Sequence, residues 1–196
     1  MKTRFSSQLS LILISAFLLL FSSCDVDVKK SANGKNKDVK IDTPVARLHV
    51  SEDADASETG LPVYPGSRLA PKKENGDNDN ANLNILTGFF GLKVVAVSYE
   101  SDDSVEKIKT YYEKQLKQYG DVLECRTTGG NASANFSGDD DDSKAKALTC
   151  EQSTGNDFEL KAGTHNNQHI VSIEPRDKGC KFSLVYVKMY GKETTI

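Results

Sequence analysis

The sequence predicts an α+β domain: mainly an antiparallel sheet of about seven strands, with one amphipathic helix packed on one face. Three observations predict it. Helical periodicity is clear in one stretch, where Val105, Ile108, Tyr112, Leu116 and Tyr119 recur every three or four residues while Lys107, Lys109, Glu113 and Lys117 fall largely off the stripe. Short segments with strand character fill much of the rest. Short turns join successive strands in the second half, at Gly155-Asn156, His165 to Gln168 and Arg176-Asp177-Lys178-Gly179. Such turns make an antiparallel meander, because parallel neighbours need long crossovers.

Taken in order, the folded part is expected to begin near Thr43, with a short strand over 45–50 and an acidic loop over 51–59. Leu61-Pro62-Val63-Tyr64-Pro65-Gly66 reads as an extended segment closed by a tight turn, since two prolines and a glycine leave little else. Asn82 to Leu86 and Leu92 to Tyr99 flank Thr87-Gly88-Phe89-Phe90-Gly91 as an antiparallel hairpin, and the apolar residues on both faces of the second arm mark an inner strand. Ser101 to Ser104 supplies oxygens and negative charge at the helix start, Asp103 and Glu106 have capping-box spacing, and Gly120 stops the helix. Further strands are expected over 122–127, 147–152, 158–162, 169–174 and 181–189. In one of them Phe158, Leu160 and Ala162 alternate with Glu159 and Lys161, the pattern of a strand with one wet face.

The N-terminus carries an address. Lys2 and Arg4 precede the apolar run 11–21, which ends at Ser22-Ser23-Cys24. A basic start, a greasy centre shorter than the roughly 20 residues that span a bilayer, and small residues at its end make a secretory signal. Phe21-Ser22-Ser23-Cys24 resembles the lipobox of bacterial lipoproteins, in which the cysteine becomes the lipidated first residue. That resemblance implies a signal peptide over 1–23, an acyl anchor such as palmitate at Cys24, and a domain held by lipid on the extracytoplasmic side of the cell envelope. Residues 24–42 then read as a flexible linker, with five lysines from Lys29 to Lys40 among Asp25, Asp27, Asp38 and Asp42, and 43–196 as a single domain. Asp25 directly after the cysteine resembles an inner-membrane retention mark of enteric lipoproteins. Pro62 to Gly66, with 97–107 and Tyr111-Tyr112, also resembles uncharacterised secreted bacterial proteins, a likeness that brings no activity with it.

Without Lys2 and Arg4 the 25 basic side chains fall to 23 against 28 acidic ones, a formal charge of −5. That argues against a nucleic-acid partner, which calls for a clustered basic face. With Cys24 lipidated, three cysteines remain. Cys125 shares a strand face with Leu123, and Cys150 with Leu148. If strands 122–127 and 147–152 pair directly, the two cysteines can face each other at about 4.5–5.5 Å between Cβ atoms. The expected disulfide is therefore Cys125–Cys150, with Cys180 a free thiol; a bond to Cys180 would require another strand order.

No cofactor is expected, and no metal. His165 and His169 are four apart but sit around a turn rather than on a helix face. Asp77-Asn78-Asp79-Asn80 lacks the glycine and final glutamate of a calcium loop, and Asp139 to Asp142 is a block of like charge. No nucleophile elbow or phosphate-cradling loop is present. The leading expectation is a non-enzymatic envelope module that binds a protein, peptide or polymer, with Phe89 and Phe90 as the candidate partner contact. The alternatives are an envelope hydrolase built from scattered carboxylates such as Glu100, Asp102 and Asp103, or a structural or inhibitory lipoprotein.

Overall fold

The computed structural model describes residues 25–30, 37–72, 79–129, 132–134, 147–151 and 154–191, with 25–30 and 37 described by backbone alone. Cys24, the signal segment and Asp139 to Asp142 lie outside the described residues. The strands are β1 Asp25–Lys30, β2 Lys37–Asp42, β3 Ala46–Ser51, β4 Arg68–Leu69, β5 Ala81–Thr87, β6 Phe90–Ser101, β7 Leu123–Thr127, β8 Asp157–Thr164, β9 Asn167–Pro175 and β10 Cys180–Gly191, with helix α1 at Val105–Leu116 between β6 and β7. Among the described residues they form a ten-stranded antiparallel sheet in the order β1-β2-β3-β5-β6-β10-β9-β8-β7, with β4 beside β6 in the lane that β5 leaves.

The architecture is thus the expected one, a largely antiparallel sheet with one helix, but the sheet is wider than about seven strands and is not a simple meander. The last strand enters the middle. β10 pairs along its full length with β6 and also with β9. The register matches apolar partners on one face, Phe182 with Tyr99 and Ile173, and Leu184 with Val97 and Val171. Hence β6 and β7 run parallel, three strands apart, and α1 carries the chain between them. Twelve residues of helix cover about 18 Å, and four strand lanes about 19 Å. The helix is as long as the crossing.

Ile108, Tyr112 and Leu116 turn the predicted stripe onto β8, β9 and β10, where Phe158, Leu160, Val171, Ile173, Phe182 and Leu184 complete the main core. The expected capping box does not form: Ser104 is the N-cap without a side-chain bond, and Asp103 accepts from the Lys107 ammonium at 2.6 Å and the Tyr64 hydroxyl at 2.9 Å. Here a tertiary partner outcompetes a local one.

Three further expectations are corrected. First, the stretch read as a linker supplies two strands, because Val39 and Ile41 alternate with Asp38, Lys40 and Asp42 and pair with Val50 and Leu48 of β3. Asp38 bonds His49 at 2.8 Å and Asp42 meets Arg47 at 3.4 Å, so the polar side of this ladder is paired too. Second, residues 147–150 form no strand, since β8 already occupies the ladder beside β7, with Leu123 opposite Lys161. The cysteine pairing nevertheless stands: Cys125 and Cys150 are at disulfide distance, Cα atoms 5.5 Å apart, and Cys180 is a free, buried thiol. Cys125 is buried and Cys150 exposed, so the bridge ties an outer segment to the β7 edge instead of joining paired strands. Third, β8 has no wet face. Glu159 and Lys161 are both 0% exposed, beneath the segment Ala132 to Ala134.

Candidate functional site

Loop 53–64 makes the wall of a cleft against β6 and β4. A single 3-10 turn, Ala56–Thr59, starts where the Asp55 carboxylate accepts the Ser57 N–H at 2.8 Å and ends at Gly60, whose φ of 73° is left-handed. A side chain at Gly60 would also strike the Tyr119 hydroxyl, 2.6 Å from an ideal Cβ. Only glycine fits there. The turn is clamped from below: Tyr119 donates to the Gly60 carbonyl at 2.6 Å, and the His169 Nδ1–H donates to the Thr59 carbonyl at 2.8 Å. The two rings stack at 3.5 Å between centroids. Further along, the Tyr112 hydroxyl donates to the Pro62 carbonyl and accepts the Tyr64 N–H, both at 3.1 Å. A proline-fixed segment is thereby pinned to the helix.

The cleft between this wall and the sheet has a volume of about 740 Å³, within the range of small-ligand sites. Leu61, Val63, Leu69, Val97 and Tyr99 give it an apolar floor, and Asp53, Asp55 and Glu58 an acidic rim. Among the described residues no basic side chain lines it. Glu58 is engaged by Lys93 at 2.7 Å and Asn82 at 3.2 Å. The hydrogen bond donated by the Ser57 backbone N–H, and then that of its side chain, holds the Asp55 carboxyl below its usual range. Tyr99 is pushed up, by burial first and by the nearby Asp55 charge second. The site presents negative charge over hydrocarbon.

His169 serves the wall rather than a metal. Burial lowers its pKa, with the Thr59 hydrogen bond acting the other way, so the folded ring binds its proton less readily than the unfolded one. Stability from this ring is complete above the unfolded value, about 6.5, and is lost as pH falls below it toward the folded value. The expected result is an unfolding free energy that declines below about pH 6.5, by up to about 1.4 kcal/mol per pH unit, with a shallower decline in His169→Gln, read by denaturant melts across that range. Matching profiles for the two proteins would show that this ring does not couple to folding.

The other sequence candidates are dispersed. Glu100 and Asp102 share Arg68 at 3.4 and 3.1 Å, Asp103 is held by Lys107 and Tyr64, and none of the three lines the cleft. Lys107 first, and then Tyr64, lower the Asp103 pKa, the opposite of the raised carboxyl a hydrolase's acid would need. His165 stays in its turn, where its carbonyl accepts from Gln168. Asn80 accepts the Ser98 N–H and Asp79 pairs with Lys181. Among the described residues no group of three or more His, Cys, Asp or Glu side chains could hold a metal ion. Phe89 and Phe90 are at the far end of β6 from the cleft, 80% and 41% exposed.

Sequence reasoning missed one cluster altogether. On the sheet face away from α1, the Ser133 hydroxyl donates to Glu159 at 2.9 Å and accepts from Lys161 at 3.2 Å, and Lys161 lies 3.3 Å from Glu159. These are the residue types of a serine–lysine hydrolase, but here the Lys161 Nζ is engaged by Glu159. The cluster pins Ala132 and Ala134 over Ile170, Val185 and Val187.

Compared with known families, curated proteins and solved structures, the chain matches none. The cleft therefore has to be read from its own chemistry.

Proposed function

We propose that the protein is a lipid-anchored module of the bacterial envelope, cleaved before Cys24 and held there by acyl chains, with its domain on the extracytoplasmic side. Its role is non-enzymatic binding: the acid-rimmed cleft takes a cationic, partly apolar segment of a protein or peptide. The observation that carries this reading is the cleft itself, where Asp53 and Asp55 stand over Leu61, Val97 and Tyr99 with no basic lining residue among those described. An aliphatic stem would lie on the floor while its charged head meets the rim, as long basic side chains do at apolar surfaces.

The test uses a labelled peptide of alternating Lys and Leu against its Glu–Leu counterpart. The basic peptide should bind and the acidic one should not, and removing two rim charges in Asp53→Asn/Asp55→Asn should weaken binding about tenfold at low salt. Equal affinity for the two peptides would sink the cleft assignment. The anchor is tested separately: Cys24→Ser should abolish acyl labelling and move the protein from the detergent to the aqueous phase on extraction. Labelling that survives the substitution would remove the lipoprotein reading.

A further inference from the structure

Among the described residues, five of the eight exposed large apolar side chains gather at one end of the sheet. Val45 precedes β3, Leu86 and Phe89 stand at the β5–β6 hairpin, Phe90 begins β6 and Tyr190 closes β10; their exposures run from 41% to 80%. The cross-strand register makes them neighbours. Asp25 pairs with Asp42, Asp42 with Arg47, Arg47 with Leu86, Leu86 with Gly91 and Gly91 with Tyr190, one continuous row from β1 to β10. The next row inward on the face away from α1 is aliphatic throughout: Ile41, Leu48, Ile85, Leu92 and Met189.

The hairpin holds its rings outward by construction. The Thr87 hydroxyl accepts the N–H of Phe89 at 3.3 Å and of Phe90 at 2.8 Å, and donates to the Phe90 carbonyl at 2.9 Å. Tyr190 packs against Gly91, where an added Cβ would come within 3.1 Å of its ring, and Lys188 lies 5.0 Å from the Tyr190 centroid. Phenylalanine at the extremity, with tyrosine and lysine just behind, is the order in which these side chains settle into a membrane interface.

What identifies the occupant is the position of residue 25. Asp25 belongs to the row that carries Leu86 and Tyr190, so the cysteine that precedes it is joined to the chain at this same end. We infer that this apolar tip seats in the bilayer that holds the lipid at Cys24, fixing the domain by its β5–β6 hairpin as well as by its anchor. The inference rests on the lipid-anchor reading. It also sets the height of the cleft. Val97 lies six residues along β6 from Gly91, about 20 Å, so the binding site stands off the membrane surface.

The chain has no tryptophan, which makes a single introduced indole a clean depth probe. The mature chain from Cys24 onward is coupled through that thiol to a maleimide lipid in phosphatidylcholine–phosphatidylglycerol vesicles, with or without brominated acyl chains. Phe89→Trp places the probe in the tip, and Lys178→Trp places it in the β9–β10 turn at the opposite end. The expected result is more than about twofold quenching and a blue shift for Phe89→Trp, and neither for Lys178→Trp. Equal quenching of both variants, or none of Phe89→Trp in the coupled protein, would overturn the inference. So would a blue shift that arises without vesicles and grows with protein concentration, because a second copy would then cover the tip. Since the lipid is supplied chemically, these outcomes are independent of whether cells acylate Cys24, which the labelling experiment reads separately.

Discussion

Replacing Lys161 by methionine will lower the unfolding free energy by about 3–5 kcal/mol, whereas Glu159→Gln with Lys161→Met will cost clearly less than that. The reason is desolvation. Both side chains are wholly buried, and their mutual contact at 3.3 Å, with the Ser133 hydroxyl satisfying each, is what makes two charges tolerable there. Methionine fills the lysine's volume but leaves a carboxylate that must stay unpaired or take up a proton, and both are costly. Neutralising both partners removes that burden while keeping the shape. Denaturant melts of the wild type and the two variants decide it. A cost for Lys161→Met below about 1 kcal/mol would mean that water reaches the pair, in which case Ala132 to Ala134 is not a tight cover.

The same pair shows where the sequence could be read and where it could not. Alternation of Phe158, Leu160 and Ala162 with Glu159 and Lys161 correctly announces a strand, but it cannot say whether the charged side meets water or another segment. Val39 and Ile41 carry the same period-two signal among aspartates and lysines, and composition alone made that stretch look like a leash. The α1 stripe was legible because helical spacing is local and its three buried residues share one face. Strand order was not, because β10 reaches β6 across α1 and three other strands, and only matched partners such as Phe182 and Tyr99 fix that choice. The Cys125–Cys150 pair was found through an incorrect strand pairing; edge tether and facing strands bring cysteines equally close. The cleft was illegible for a simpler reason. Its acidic rim comes from 53–58 and its floor from Leu61, Val63, Leu69, Val97 and Tyr99, and no local pattern announces their meeting.

Phe182→Ala will destabilise the domain by about 3–5 kcal/mol and will also weaken peptide binding at a cleft it does not line. The ring is 1% exposed and sits at the centre of an aromatic cluster, with Tyr112 at 5.6 Å, Tyr99 at 5.7 Å and Tyr64 at 6.5 Å between centroids. Truncation removes the largest surface these rings share, and the void is bounded by β6, β10 and α1, which cannot all close on it. Tyr99 belongs to the cleft floor, while the Tyr112 hydroxyl fixes the wall at Pro62 and Tyr64. A cavity between these rings therefore loosens wall and floor together. Phe182→Leu, which keeps much of the volume, should cost less and leave more of the binding intact. Urea melts and peptide titrations on the same three proteins measure both effects. If affinity held while stability fell by the full amount, the wall would be rigid without its aromatic support, and the hydrogen bonds of Tyr112 alone would be enough to hold it.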